Sequence, residues 1–303
     1  MDEKVYLNGT IVPHSRARVS VSDHGFLYGY GLFETMRAYN GKIFLLERHL
    51  KRLMSGAEAI GLGKRLANID LEKACRDTLK ANDFTEARVR LTVTGGEGDA
   101  FPWEGKSGTP TVVVTARPYH PLPGAKYERG MKAGIASVRR CAQSTIAGIK
   151  SVNYLVSVLA RMEAARYGLD ESLLLNDRGF IAECGNSNVF FVEGDNLITP
   201  SLDSGILPGI TREVVMELAA EMGISVTEAE ISLSELKHFN EAFLTSSIIE
   251  VMPLVAVRGE GGRMISIGAG RPGEVTRRLM GEYREKVERE TYTHPRDSLL
   301  HSE

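Results

Sequence analysis

Gly148-Ile149-Lys150-Ser151-Val152-Asn153-Tyr154-Leu155 sets a lysine ahead of a run in which apolar residues recur at Leu155, Val158, Leu159 and Met162. That spacing predicts a helix with one face for the core and puts Lys150 just before it or in its first turn. A helix N-terminus disfavours a cation. A lysine whose charged form is disfavoured has a lowered pKa and becomes an amine nucleophile of the kind used in Schiff-base chemistry. A solvated surface lysine is spelled the same way, so the rest of the chain decides.

The chain's 303 residues allow two domains with a sizeable core. With 43% apolar and 25% charged residues and a formal net charge of -2, the composition is that of a soluble globular protein and offers no general case for nucleic acid or anionic lipid. A small-molecule partner is the expectation. Cys75, Cys141 and Cys184 stand far apart without a Cys-x-x-Cys pair, and the seven histidines include no His-Glu-x-x-His, so neither a disulfide framework nor a metal is predicted. Met1-Asp2-Glu3-Lys4 has no apolar run behind it, and no stretch approaches the roughly 20 apolar residues of a membrane span. The expectation is a cytoplasmic protein.

Outward from Lys150, the pattern reads as α+β. Lys4 to Val12 predicts a hairpin around Asn8-Gly9. The glycine-punctuated, aromatic Asp23 to Glu34 leads into a strand from Phe33 to Tyr39. Helices follow from Leu46 to Gly61 and from Asp70, an N-cap, to Asn82. Arg88 to Thr94 alternates Val89, Leu91 and Val93 against Arg88, Arg90 and Thr92, and Thr111 to Ala116 is a short β-branched run. Arg117 to Gly124 holds three prolines and a glycine, which predicts an N-terminal domain over 1–117, a linker over 118–124 and a larger domain over 125–303. Past it come a strand from Met131, the Lys150 segment, a strand meander from Ser172 to Thr199, a helix from Thr211 to Gly223, a capping box Ser232-x-x-Glu235, strands at 241–245 and 254–258, and a last helix marked by Val275, Leu279, Tyr283 and Val287. Residues from Thr291 onward read as a loose tail.

Two motifs are decoys. Gly29-x-Gly31 lacks the third glycine of a dinucleotide loop and precedes a strand. Ala100 to Ser107 satisfies a relaxed Walker A pattern, but Pro102 and Trp103 are too bulky for a phosphate cradle and Ser107-Gly108-Thr109-Pro110 cannot open a helix.

The Lys150 stretch, with Ile181-Ala182-Glu183-Cys184-Gly185-Asn186-Ser187-Asn188-Val189-Phe190 and Gly205-Ile206-Leu207-Pro208-Gly209-Ile210-Thr211-Arg212, resembles the class IV (fold type IV) pyridoxal-phosphate enzymes. These are branched-chain aminotransferases, D-amino-acid aminotransferases and aminodeoxychorismate lyases, and the likeness runs from about Val5 to near Val287. It implies a two-domain fold, a small N-terminal α/β sandwich and a larger domain with a β-barrel-like meander. It also implies pyridoxal 5'-phosphate as cofactor, transamination between an amino acid and a 2-oxo acid in two half-reactions, and a homodimer.

By the same resemblance Lys150 is the catalytic lysine, and Glu183 faces the cofactor's ring nitrogen. Gly209, Ile210 and Thr211 take the phosphate at a helix N-terminus, with Arg52 and Ser247 on the same anion. Leu207, Asn188 and Tyr154 complete the cofactor set. Tyr28, Phe33, Arg37, Arg90, Ser246 and Ile248 fall to the substrate. Here the chain departs from the branched-chain pattern: three residues, not four, separate Lys150 from Tyr154, and Arg88 stands where that branch has a tyrosine. Phe33 in place of the D-branch tyrosine, and Gly95 in place of its arginine, favour L-branched-chain substrates with 2-oxoglutarate. D-amino-acid transamination, aminodeoxychorismate lysis to p-aminobenzoate and pyruvate, and a non-catalytic binding module are the alternatives.

Overall fold

A computed structural model describes residues 2–98, 101–104 and 108–292. The chain divides into two compact units. The first holds the residues up to His120, Lys150–Asn153 and the chain from Glu285; the second holds Pro121–Ile149 and Tyr154–Arg284. The Lys150 segment thus counts with the first unit although its chain neighbours on both sides count with the second.

In the first unit β1 (Lys4–Leu7) and β2 (Thr10–Pro13) form the hairpin, with Asn8 and Gly9 both at positive φ as such a turn demands. There follow α1 (His24–Tyr28), β3 (Gly31–Tyr39), β4 (Lys42–Ile43), α2 (Leu46–Ala59), α3 (Gly63–Leu66), α4 (Leu71–Asn82), β5 (Ala87–Thr94) and β6 (Thr111–Pro118). Among the described residues the strands make one antiparallel sheet in the order β2-β1-β6-β5-β3-β4. Its period of two is clean: Val89, Leu91 and Val93 are buried, and Arg88 and Arg90 are exposed on the other face. α4 starts where Asp70 accepts a bond from the Lys73 amide. Of the decoy Walker stretch, Ala100 and Gly105 to Ser107 lie outside the described residues; Pro102–Glu104 is a single 3-10 turn.

The second unit contains α5 (Gly124–Arg129), β7 (Met131–Arg140), α6 (Leu155–Arg166), β8 (Glu171–Asn176), β9 (Ile181–Cys184), β10 (Asn188–Glu193), β11 (Asn196–Pro200), α7 (Ile210–Glu221), β12 (Ser225–Ala229), β13 (Glu241–Ser246), β14 (Glu250–Arg258) and β15 (Met264–Ser266). α8 (Glu274–Thr291) begins in it. Its mixed sheet runs β12-β11-β10-β13-β14-β7-β8-β9, with β15 on β14. A tight turn at Gly185-Asn186-Ser187, closed by Cys184 N–H to the Ser187 carbonyl, returns the chain from β9 to β10 and curls the sheet. Phe191, Leu173, Val189, Leu244, Met252 and Leu254 fill the concavity. The capping box at Ser232 and Glu235 forms as predicted.

Two expectations are corrected. α6 turns its small residues inward, Ser157, Ala160 and Ala164, and leaves Leu155, Val158, Leu159 and Met162 exposed by 44 to 67%. Periodicity finds the apolar stripe but not what covers it. Thr291, read as the start of the tail, is buried in the last turn of α8, with its hydroxyl donating to the Val287 carbonyl; residues from 293 on lie outside the described residues.

Candidate active site

Of the two expected placements the first holds: Lys150 lies just before α6, whose N-cap is Tyr154, and not in its first turn. It lies on a short extended piece laid along the edge of β3: Phe33 N–H donates to the Lys150 carbonyl (3.0 Å), Val152 N–H donates to the Gly31 carbonyl (3.0 Å), and Ser151 bridges Leu32. Asn153 Nδ2 donates to the Gly29 carbonyl at 2.8 Å, and a Cβ on Gly29, at φ +65°, would collide with that Asn153 side chain. The lysine's backbone is therefore set by the sheet, and the macrodipole, a first-turn effect, does not explain its chemistry. Its Nζ stands 4.6 Å from the centre of the Phe33 ring, and the Arg90 guanidinium carbon stands 3.8 Å from the same centre. Two cations thus share one aromatic ring.

On the opposite face of β3, Glu34 points at α2 and is wholly buried. Arg52 grips it two-pronged, Nε to Oε1 at 2.8 Å and Nη2 to Oε2 at 2.6 Å, and His49 Nδ1 lies 2.8 Å from Oε2. Burial pushes the Glu34 carboxyl up, but the Arg52 charge and the His49 bond more than offset it and hold the pKa at about 2. Burial also pushes the His49 imidazole down; Glu34 opposes this, and the charges of Arg52 and Lys150 add to it.

In the second unit, Glu183 at the end of β9 is buried and engaged on both oxygens. Arg140 Nη1 pairs with Oε1 at 3.0 Å, the Leu207 amide donates to Oε2 at 3.0 Å, and Asn188 Nδ2 donates to Oε2 at 3.3 Å while also donating to the Leu207 carbonyl at 2.9 Å. Arg140 further donates to the carbonyls of Gly205 and Ala147, so one guanidinium ties the carboxylate to two loops. α7 opens at Gly209, an N-cap that makes no side-chain cap bond. A Cβ on Gly209 would drive into Asn188 Oδ1, so only glycine lets the helix start approach this residue. Thr211 is buried in the first turn, and Arg212 fixes that turn by donating to the Pro200 carbonyl (3.1 Å) and pairing with Glu228. Tyr154 Oη donates to Asn186 Oδ1 at 3.1 Å; burial raises the phenol's pKa, and the Glu183 charge adds to the rise. Ser246, Ser247 and Ile248 lead from β13 into the turn that enters β14 at Glu250, which takes φ +58° and pairs with Arg284.

A family model for class IV amino-transferases matches residues 31–257. The chain belongs to the class IV aminotransferases. A Methanocaldococcus jannaschii protein with the provisional name branched-chain-amino-acid aminotransferase is 39% identical over 283 residues, 93% of this chain and 96% of that one. The crystal structure of the Escherichia coli branched-chain amino acid aminotransferase superposes with a TM-score of 0.82 at 32% identity, covering 94% of each chain. That of the T.th. branched-chain amino acid aminotransferase with pyridoxamine 5'-phosphate gives 0.84 at 28% identity, covering 95% of this chain and 94% of the other. The mixed fold with its curled sheet is the fold of these enzymes.

For this class IV aminotransferase the donor set fits the family's pyridoxal-phosphate cofactor. Gly209 leaves room at the start of a twelve-residue helix whose amides and Thr211 hydroxyl suit a phosphate, Glu183 suits a protonated ring nitrogen, and Lys150 supplies an amine. Each unit keeps its own share: Lys150, Arg52, Phe33 and Arg90 in the first, Tyr154, Glu183, Asn188, Leu207, Gly209 to Thr211 and Ser247 in the second. Among the substrate candidates, Arg37 is buried between the rings of Tyr39 (4.2 Å) and Tyr119 (4.5 Å) and pairs with Glu86, whereas Arg90 is exposed. Tyr28 is half-exposed in an aromatic group with Phe101 and Trp103. Sequence reasoning missed Glu34, His49 and Arg140. The i, i+3 spacing of His49 and Arg52 put both on one helical face and was the available signal.

Proposed function

We propose that this aminotransferase uses pyridoxal 5'-phosphate to move the amino group of L-leucine, L-isoleucine or L-valine to 2-oxoglutarate. Among the described residues no helix is long and apolar enough to cross a membrane, and Cys75, Cys141 and Cys184, none of them in a disulfide, suit a reducing cytoplasm. As domains we propose a small N-terminal one over 1–117, a linker over 118–124 and a larger cofactor-binding one over 125–303, although Lys150–Asn153 and the chain from Glu285 count with the first compact unit.

Once bound, the cofactor supplies an electron sink for the charge left when the substrate's α-proton departs. Lys150 Nζ would take that proton from the α-carbon and pass it to the cofactor, and would run the same transfer in reverse in the second half of the reaction. Glu183 would face the ring nitrogen, its direction fixed by Arg140, Asn188 and the Leu207 amide. By the family likeness the phosphate would be held by Arg52, Ser247, the amides of Ile210 and Thr211, and the Thr211 hydroxyl. Tyr154 orients the ring, and Tyr28, Ser246 and Ile248 line the substrate. Phe33 forms apolar wall, and Arg90, with Arg37 in reserve, meets the carboxylate.

The observation that carries the L-branched-chain reading is the Phe33 ring with Lys150 and Arg90 on it. An apolar ring, an amine and a guanidinium within one short reach support reading Lys150 as the reactive amine and Arg90 as the carboxylate's partner. The relatives' names support the same substrates. The exposed apolar face of α6 supports a homodimer, because a soluble chain rarely leaves such a stripe uncovered. Steady-state assays with 2-oxoglutarate test the substrate reading. Glutamate formation is expected from L-leucine, L-isoleucine and L-valine well ahead of D-alanine and D-glutamate. A preference for the D-amino acids, or pyruvate release from aminodeoxychorismate with no 2-oxo acid present, would overturn it.

A further inference from the structure

Arg52 is held before any ligand arrives. Its guanidinium meets the Glu34 carboxylate with two parallel bonds, the geometry that fixes an arginine's plane as well as its charge. The carboxylate is itself fixed. Glu34 is fully buried on β3, and its Oε2 also faces His49 Nδ1 at 2.8 Å. An ionised carboxylate only accepts, so the proton of that bond belongs to the imidazole. His49 is 2% exposed and sits one helical turn from Arg52 on the same face of α2. α2 in turn leaves Leu45, an N-cap at φ +52° that a leucine rarely adopts, and the His49 amide donates to the Leu45 carbonyl.

Stability alone is a poor reason for this arrangement. A carboxylate, an imidazole and a guanidinium occupy an apolar layer between sheet and helix, where well-packed hydrophobic residues serve as well or better. The network does accomplish one thing that apolar packing cannot: it aims a permanently charged fork.

We propose that Glu34, backed by His49, is the positioning residue for Arg52, and that the cluster exists to present a pre-aimed guanidinium to the phosphate of the cofactor. This rests on the reading of Arg52 as a phosphate ligand. Pre-aiming removes the cost of ordering a long side chain on binding, so the cluster acts on the phosphate ester and not on the aldehyde end of the cofactor. Glu34→Gln keeps the shape but places an amide donor against the N–H groups of Arg52 or His49, which releases the fork.

The test is to free the full chain of cofactor and titrate it with pyridoxal 5'-phosphate and, separately, with pyridoxal, which lacks the phosphate. Glu34→Gln is expected to weaken pyridoxal 5'-phosphate binding about tenfold while changing pyridoxal binding less than about twofold. In an Arg52→Gln background the same substitution should change neither, since interacting residues are not additive. If Glu34→Gln does not fold, His49→Leu is expected to give a smaller loss of the same phosphate selectivity, and His49→Asn, which keeps a donor beside Glu34, to restore it. Equal losses for both ligands, or equal effects with and without Arg52, would overturn the proposal and leave Arg52 a phosphate ligand. If Arg52→Gln itself left pyridoxal 5'-phosphate affinity unchanged, the phosphate reading would fall, and this inference with it.

Discussion

Glu34 and Glu183 are both buried glutamates paired with an arginine, one in each unit, and they do different work. The partners of Glu34 are side chains of a single helix. Those of Glu183 are a backbone amide, an asparagine that also holds that loop's carbonyl, and an arginine tied to the same loop at Gly205 and to one further loop at Ala147. A carboxylate fixed by the backbone has its direction set by the fold and is suited to face a ligand. One that grips side chains passes its own rigidity to them. On the proposed reading Glu183 meets the cofactor, and Glu34 aims a residue that does.

The largest effect belongs to neither glutamate. Lys150→Ala is expected to lose multiple-turnover transamination, by on the order of 1,000-fold or more, while still binding cofactor through the phosphate and ring contacts. Glutamate production in a steady-state assay checks the first, and absorbance of the purified protein the second. Next comes the direct contrast. Glu183→Gln is expected to lower turnover roughly 100-fold, because the charge opposite the ring nitrogen is lost where it matters in the transition state. Glu34→Gln at saturating cofactor is expected to lower it far less. Comparable losses in kcat would erase the distinction between the two carboxylates.

Acid stability sharpens the contrast from the other side. The Glu34 pKa of about 2 lies below its ordinary 4.5, so the unfolded chain takes up the proton first as pH falls. The stabilisation is complete above that ordinary value and is lost as pH falls toward 2. The gap corresponds to on the order of 3 kcal/mol. Urea midpoints at pH 7 and pH 3 are expected to differ more for the native chain than for Glu34→Gln; equal differences would show that the carboxylate is not held ionised. The smallest expected effect on chemistry comes from Leu159→Asp on the exposed face of α6. If the proposed homodimer is built on this face, the change should shift the protein toward monomer in sedimentation without unfolding it, and an unaltered sedimentation profile would count against that interface.

Much of this was legible in the sequence. The hairpin at Asn8-Gly9, the Asp70 cap, the alternation of β5 and the capping box at Ser232 follow from local rules, and they formed. The Lys150, Glu183 and Gly209-Ile210-Thr211 motifs were readable because each is a contiguous string. Glu34 was not, because its meaning lies in a pairing with α2 that strand alternation cannot reveal. Arg140 gave no signal for the same reason: its three partners lie on a strand, β9, and on two loops distant in sequence. The α6 stripe was seen but assigned the wrong side, since a period reports an apolar face without saying what covers it. Lys150 lies just before a helix as expected, but a strand edge and not the helix N-terminus holds it.

The most direct test is a single-turnover experiment on the cofactor-loaded protein with one amino donor and no acceptor. L-Leucine is expected to discharge the cofactor's absorbance band and release one equivalent of its 2-oxo acid per active site, with D-alanine slower by at least about tenfold, because a carboxylate that reaches neither Arg90 nor another donor is left underbonded. A band that persists with L-leucine, or that D-alanine discharges faster, would contradict the account.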